Sequence, residues 1–141
     1  MDLLQICRHH SVQVAYICLM SGRLKHDRIR ATPTWRGSTS GRYDCAIING
    51  ENHFDFVKIF GFFMLSSGPT TWHIALVHQY QYIGRHRSSG YIQLADDGQM
   101  DIIFADTIIR LIHILPTSRY NPYLTVQDVT PDIYLRLKKL N

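Results

Sequence analysis

From residue 43 onward, apolar and polar positions alternate as they do in strands. Tyr43-Asp44-Cys45-Ala46-Ile47-Ile48-Asn49 is a β-branched run closed by Asn49-Gly50, a favoured turn pair. Phe54–Leu65 is a long aromatic run, interrupted by Gly61 and ended by Ser66-Ser67-Gly68-Pro69. Across Thr70–Ile83 the residues Trp72, Ile74, Leu76, His78, Tyr80 and Tyr82 recur at every second position, which sets them on one face of a pleat. Gly84–Gly90 reads as a basic loop. Tyr91–Leu94 and Met100–Phe104 flank Ala95–Gln99 and predict a hairpin turning at Asp97-Gly98. Ile108–Leu115 is another strand, stopped by Pro116, and Tyr123–Val129 is the last.

The two ends differ from this core. In residues 1–30, Val12, Val14 and Tyr16 alternate like a strand, whereas Leu3, Leu4, Ile6 and Cys7 also suit a helical turn. Arg23–Arg30 is a basic stretch, and Ala31–Gly41 is a loop rich in Thr, Ser, Gly and Pro around Trp35. At the other end Thr130 is an N-cap, Pro131 fits the first helical position and Asp132 favours the positive end of the helix dipole. Ile133, Leu137 and Leu140 then share one face, with Lys138 and Lys139 near the C-terminal end.

Six or seven short strands followed by one helix predict a mainly β fold: a small antiparallel β-barrel or rolled sheet with one C-terminal α-helix. The bromo-adjacent-homology barrels are comparable in architecture. The chain is read as a single domain over 1–141. It comprises an N-terminal segment (1–30), a loop (31–42), a β-rich core (43–129) and the helix (130–141).

Composition narrows the class. The chain has 141 residues, 45% hydrophobic and 18% charged, a globular rather than disordered balance. Fifteen Lys and Arg against eleven Asp and Glu give +4, which permits contact with phosphate without demanding it. Three cysteines (Cys7, Cys18, Cys45) cannot all pair with one another, and no Asn-x-Ser/Thr acceptor occurs, so an intracellular setting, nuclear or cytoplasmic, is expected. The run Val12–Met20 imitates a signal peptide but lacks an A-x-A-like cleavage site, and it is too short to span a membrane.

Several segments carry a family resemblance. Thr-Pro-Thr-Trp-Arg-Gly at 32–37, Arg-Tyr-Asp-Cys-Ala-Ile at 42–47 and Ile-Ala-Leu-Val-His at 74–78 are followed by Ile-Ile-Arg at 108–110. The tail Val-Gln-Asp-Val-Thr-Pro-Asp-Ile-Tyr-Leu-Arg-Leu-Lys occupies 126–138. In order and spacing these resemble a C-terminal accessory region in the large proteins of basidiomycete DNA transposons, of the Plavaka or KDZ-associated class, over residues 30–141. Residues 1–22 match nothing in that pattern, and Arg87-Ser88-Ser89-Gly90 stands where the family carries a DKDLG-like motif. The resemblance implies an intracellular fungal protein of transposon origin, and it brings no catalytic residues with it.

Candidate chemistry is sparse. Cys7, His9, His10 and Cys18 come nearest to a zinc set, but the spacing matches no common site. Asp44, Asp106 and Asp132 have the order of a metal-dependent nuclease or transposase triad, with Asp44 and Asp106 expected on strands. Cys45 lies in a strand as a small core residue, His73 and His78 have opposite parity, and Ser66-Ser67-Gly68 lacks a nucleophile elbow. Trp72, Tyr80 and Tyr82 have the residue types of a methyl-lysine cage, though a hydrophobic sheet face is their ordinary role.

Arg30, Trp35, Arg36, Arg42, Arg85, His86 and Arg87 fall in loops, where arginine neutralises phosphate and aromatic rings stack on bases. The expected function is a non-catalytic interaction module binding DNA or chromatin, with no cofactor or metal and no membrane. A degenerate nuclease and a β domain self-associating through the Phe54–Leu65 face are the alternatives.

Overall fold

A computed structural model describes residues 3–37, 39–50, 53–118, 121–127 and 130–138. Strands β1 (Leu4–His9), β2 (Ser11–Ile17), β3 (Leu24–Thr32) and β4 (Arg42–Tyr43) come first. They are followed by β5 (Cys45–Asn49), β6 (Phe54–Ser67), β7 (Thr70–Arg85), β8 (Ile92–Phe104), β9 (Ile108–Ser118), β10 (Asn121–Gln127) and helix α1 (Pro131–Leu137). A 3-10 turn, Ala105–Thr107, joins β8 to β9.

All strand pairings among the described residues are antiparallel. β6, β5, β9, β10, β8 and β7 pair in that order, and β7 pairs back onto β6, so six strands form a closed ring. Closure leaves those strands without a continuous open edge. β6 is long enough to hold two partners in line, β5 along Phe54–Lys58 and β1 along Phe62–Ser67. β2, β3 and β4 make a separate three-stranded sheet.

The mainly β antiparallel fold with one C-terminal helix is the one the alternation predicts. The pleat sorts the buried residues of the ring strands between two cores. On β5, Cys45 and Ile47 face a cluster built by all six ring strands together with Ile133 and Leu137 of α1. Ala46 and Ile48 face the other cluster, where Val57, Ile59, Phe62, Ala75 and Val77 meet Ile29 and Ala31 of β3. Fully buried side chains such as Phe56, Phe62 and Leu137 each stabilise by about 1.5–3 kcal/mol relative to exposure.

Several expected boundaries move. Residues 4–7 belong to β1, because pairing with β6 decides what their spacing leaves open. The Arg23–Arg30 stretch is largely strand β3. The run 43–49 is two strands, since the chain leaves the β3 sheet and enters the ring at Asp44. No hairpin forms at Asp97-Gly98: β8 is continuous, and the register jumps from Tyr80↔Asp96 to Gln79↔Gln99, a bulge that absorbs the pair. β9 passes through Pro116, because its pairing with β5 ends at Ile112 and the missing N–H is tolerated where one neighbour is gone. At Gly61 β6 also shifts register, and a β-carbon there would lie 2.8 Å from the Phe63 ring. Val129, Lys139 and Leu140, expected in the last strand and the helix, lie outside the described residues.

The helix start is as predicted. Thr130 Oγ1 accepts a hydrogen bond from the Ile133 amide at 3.2 Å, and Pro131 opens the first turn.

Candidate anion-binding surface

The β2–β3–β4 sheet turns one face to the core and the other to solvent. On β3 the inward positions are Asp27, Ile29 and Ala31, so pleat alternation sends His26, Arg28 and Arg30 outward. Arg42 of β4 is in register with Thr32, which continues the same outward row. Four basic residues of two strands therefore share one face.

The loop between β3 and β4 folds Trp35 onto this row. The guanidinium carbons of Arg30, Arg42 and Arg36 lie 4.8, 4.9 and 5.4 Å from the indole ring centre. Each is within cation–π range, where attraction to the ring quadrupole offsets part of the mutual repulsion. Arg36 reaches its place with φ at +50°, a left-handed conformation costing a non-glycine residue about 1–2 kcal/mol. Gly37 follows at φ +76°. Gly41 closes the loop so tightly that a β-carbon would lie 2.5 Å from the Thr32 carbonyl oxygen.

Asp44 holds this cluster from below. One carboxylate oxygen accepts from Arg42 Nε at 3.0 Å, and the other accepts from the Arg30 amide at 2.9 Å. Among the described residues, the guanidinium groups of Arg30 and Arg36 have no carboxylate partner. The site thus carries excess positive charge on side chains already fixed by a ring. Its chemistry is that of an anion platform. The indole is occupied by guanidinium groups, so its first role is to position arginines rather than to stack on a base.

The second predicted loop does different work. Arg85 donates to the Gly90 carbonyl at 2.9 Å and also to the Leu137 carbonyl, where it caps the C-terminal end of α1. His86 Nδ1 accepts from the amides of Ser88 and Ser89, both at 3.3 Å, and organises the turn. Arg87 is exposed on that turn. The structure gathers Arg30, Trp35, Arg36 and Arg42, and gives Arg85 and His86 local structural roles.

Asp44, Asp106 and Asp132 do not converge. Asp106 lies in the 3-10 turn rather than on a strand, Asp44 serves Arg42, and Asp132 is buried against Arg110. Cys7 is exposed on β1 while Cys18 is buried, and no group of three or more His, Cys, Asp or Glu is placed to hold a metal among the described residues. Trp72 sits eight residues along β7 from Tyr80, about 27 Å at strand rise, and Tyr80 and Tyr82 pack on the ring's core, so these three make no cage. Of the Phe54–Leu65 run, Phe56, Val57, Ile59 and Phe62 are buried in the cores, whereas Phe63 and Leu65 are half-buried on the opposite face.

A polar network that the sequence reading missed joins the sheet to the ring. Arg110, 6% exposed, binds Asp27 through Nε at 2.9 Å and Nη2 at 3.1 Å, and Asp132 through Nη1 at 2.8 Å. Tyr16 lies 3.9 Å, centroid distance, from its guanidinium. Asp132 also accepts from Arg136 Nε at 2.8 Å and the Leu19 amide at 2.6 Å. Burial pushes its carboxyl upward, but these donors outweigh that and hold it below the ordinary 3.8. The signal available was a lone arginine inside the apolar run Ile108–Leu115. Its partners, 83 and 22 residues away, could not be chosen by pattern.

Among the described residues no helix is long and apolar enough to cross a membrane. No family model, curated protein or solved structure matches this chain.

Proposed function

We propose that this chain is a non-catalytic module that binds nucleic acid through the outward face of the β2–β3–β4 sheet. The observation that carries this reading is the convergence of Arg30, Arg36 and Arg42 on the single indole of Trp35. Arg28 and His26 extend the row along β3, giving a track rather than a point. Alternate residues of a strand stand about 7 Å apart, so the track suits a linear polymer of phosphates better than one small anion. The contacts available are to phosphate, and they confer affinity without base sequence preference.

A module that holds nucleic acid fits the transposon origin that the motif order implies, and it fits a nuclear or cytoplasmic setting. Both belong to the proposal. The nuclease alternative has less support, because a ribonuclease-H-like core needs parallel strands with helical crossovers and the pairings here are antiparallel. Fluorescence anisotropy with labelled random single-stranded and duplex oligonucleotides tests the reading. Salt-sensitive binding is expected, and absence of binding at low salt overturns it.

A further inference from the structure

The far halves of β6, β7 and β8, with β1 beside them, have one face in the core and one in solvent. Phe62, Ala75 and Ile103 pack inward, on or against the buried cluster shared with β3. The opposite face is also apolar. Ile6 pairs with Leu65 and Leu65 with Trp72, while Phe63 pairs with Ile74 and Ile74 with Phe104. Continuing the rows by twos adds Leu4 of β1 and Ile102 and Met100 of β8.

Leu4, Ile6, Trp72, Met100, Ile102 and Phe104 are between 39% (Trp72) and 65% (Ile6) exposed. Together they present on the order of 700 Å² to solvent, more than the 300–600 Å² of the largest patch on a typical monomer. Charge is confined to its margins, where Arg8 lies over the Phe63 ring and Lys58 over Phe60.

We infer that this face is the interface between two copies of the chain, packed sheet on sheet. Three observations point to that occupant. The area is close to the ~800 Å² that each partner contributes to an interface of standard size. The face lacks a charge pattern that would select a charged partner. An apolar sheet face can serve as its own complement about a two-fold axis, and stacked sheets bury such faces about 10 Å apart. The cationic row lies on a different sheet and is not required for this contact.

Sedimentation velocity over a wide concentration series tests it on the full chain. The expected result is a shift from 16.4 kDa to twice that mass as concentration rises. Ile102→Lys and Phe104→Lys should abolish the heavier species with circular dichroism and Tm retained. Ile6→Lys, on a strand that is not itself part of the closed ring, should do the same. Gln13→Lys, on β2 of the separate three-stranded sheet, should leave the dimer intact. A single 16.4 kDa species at every concentration overturns the inference. So does a dimer that survives all three charged variants, or one that Gln13→Lys dissociates equally.

Discussion

Arg110 Nη1 lies 2.8 Å from Asp132 Oδ2, and this pair ties helix α1 to the start of β9 while Asp27 ties the same guanidinium to β3. Three elements distant in sequence are thereby fixed to one side chain. Removing that side chain leaves two carboxylates in low-dielectric surroundings. Arg110→Met is therefore expected to cost about 3–5 kcal/mol, the range for breaking a buried pair from one side. Urea melts measure it. Adding Asp27→Asn and Asp132→Asn should recover part of the loss by removing the stranded charges, and a single-variant loss below ~1 kcal/mol would show the network to be dispensable.

The same carboxylate makes stability depend on pH. Asp132 titrates below its ordinary 3.8 in the folded protein, so its contribution is complete above that value. As pH falls, the unfolded chain takes up the proton first, and the contribution is lost through the lower folded pKa. Stability should fall with acid from near pH 4 downward. In Asp132→Asn the chain should be less stable at neutral pH and its acid limb shallower. Melts across a pH series decide it, and an acid limb identical in both proteins would remove Asp132 as its source.

What the sequence discloses here follows from how local each signal is. The Thr130 cap and the alternation of Val12, Val14 and Tyr16 depend on neighbours within a turn or a pleat, and both appear as expected. The Asp97-Gly98 pair has the chemistry of a hairpin turn, yet β8 continues past it along β7 as far as Phe104↔Ile74, and tertiary pairing converts the turn into a bulge. Four of the six residues of the candidate site are legible, since Arg30, Trp35, Arg36 and Arg42 border or lie in the readable 31–42 segment, but His26 and Arg28 are hidden in a stretch that reads only as basic. Their alternation with Asp27, Ile29 and Ala31 was the available clue. Arg85 shows the converse: its loop position resembles a binding arginine, and its partner at Leu137 is set by the fold.

Helix docking gives a graded pair of outcomes. Thr130→Ala removes one cap hydrogen bond and should cost roughly 1 kcal/mol. Leu137→Ala empties a core position that is 1% exposed and should cost about 2–5 kcal/mol. Chemical denaturation of both variants tests the order. Equal, negligible losses would mean that α1 does not contribute to the ring's core.

Thiol chemistry should separate the cysteines by environment. Burial pushes the Cys45 thiol up to about 11, so at neutral pH it is a neutral thiol facing the ring's core. Cys7 is exposed on β1. Because the thiolate is the reactive form, iodoacetamide should label Cys7 readily and Cys45 only after unfolding. Peptide mass mapping in native and denaturing buffer reads this out. Native labelling of Cys45 at the rate of Cys7 would contradict its burial.

The nucleic-acid reading makes its sharpest prediction in the salt dependence. If Arg28, Arg30, Arg36 and Arg42 each neutralise one phosphate, the log–log slope of affinity against salt should be about −2.8 on single strands and about −3.6 on duplex DNA. Arg36→Ala should make the slope shallower by about 0.7 and 0.9 respectively, with little dependence on base sequence. Trp35→Ala retains every charge but releases the three guanidinium groups from their ring, so affinity should fall because ordering must then occur on binding. Arg85→Ala is the control. Its side chain holds Gly90 and Leu137, so the slope should stay unchanged while the melting temperature drops. An Arg85→Ala slope reduced as much as that of Arg36→Ala would move the site to the 85–90 turn. A slope indifferent to Arg28, Arg36 and Arg42 alike would reduce the Trp35 cluster to a structural fastening of the β3–β4 loop.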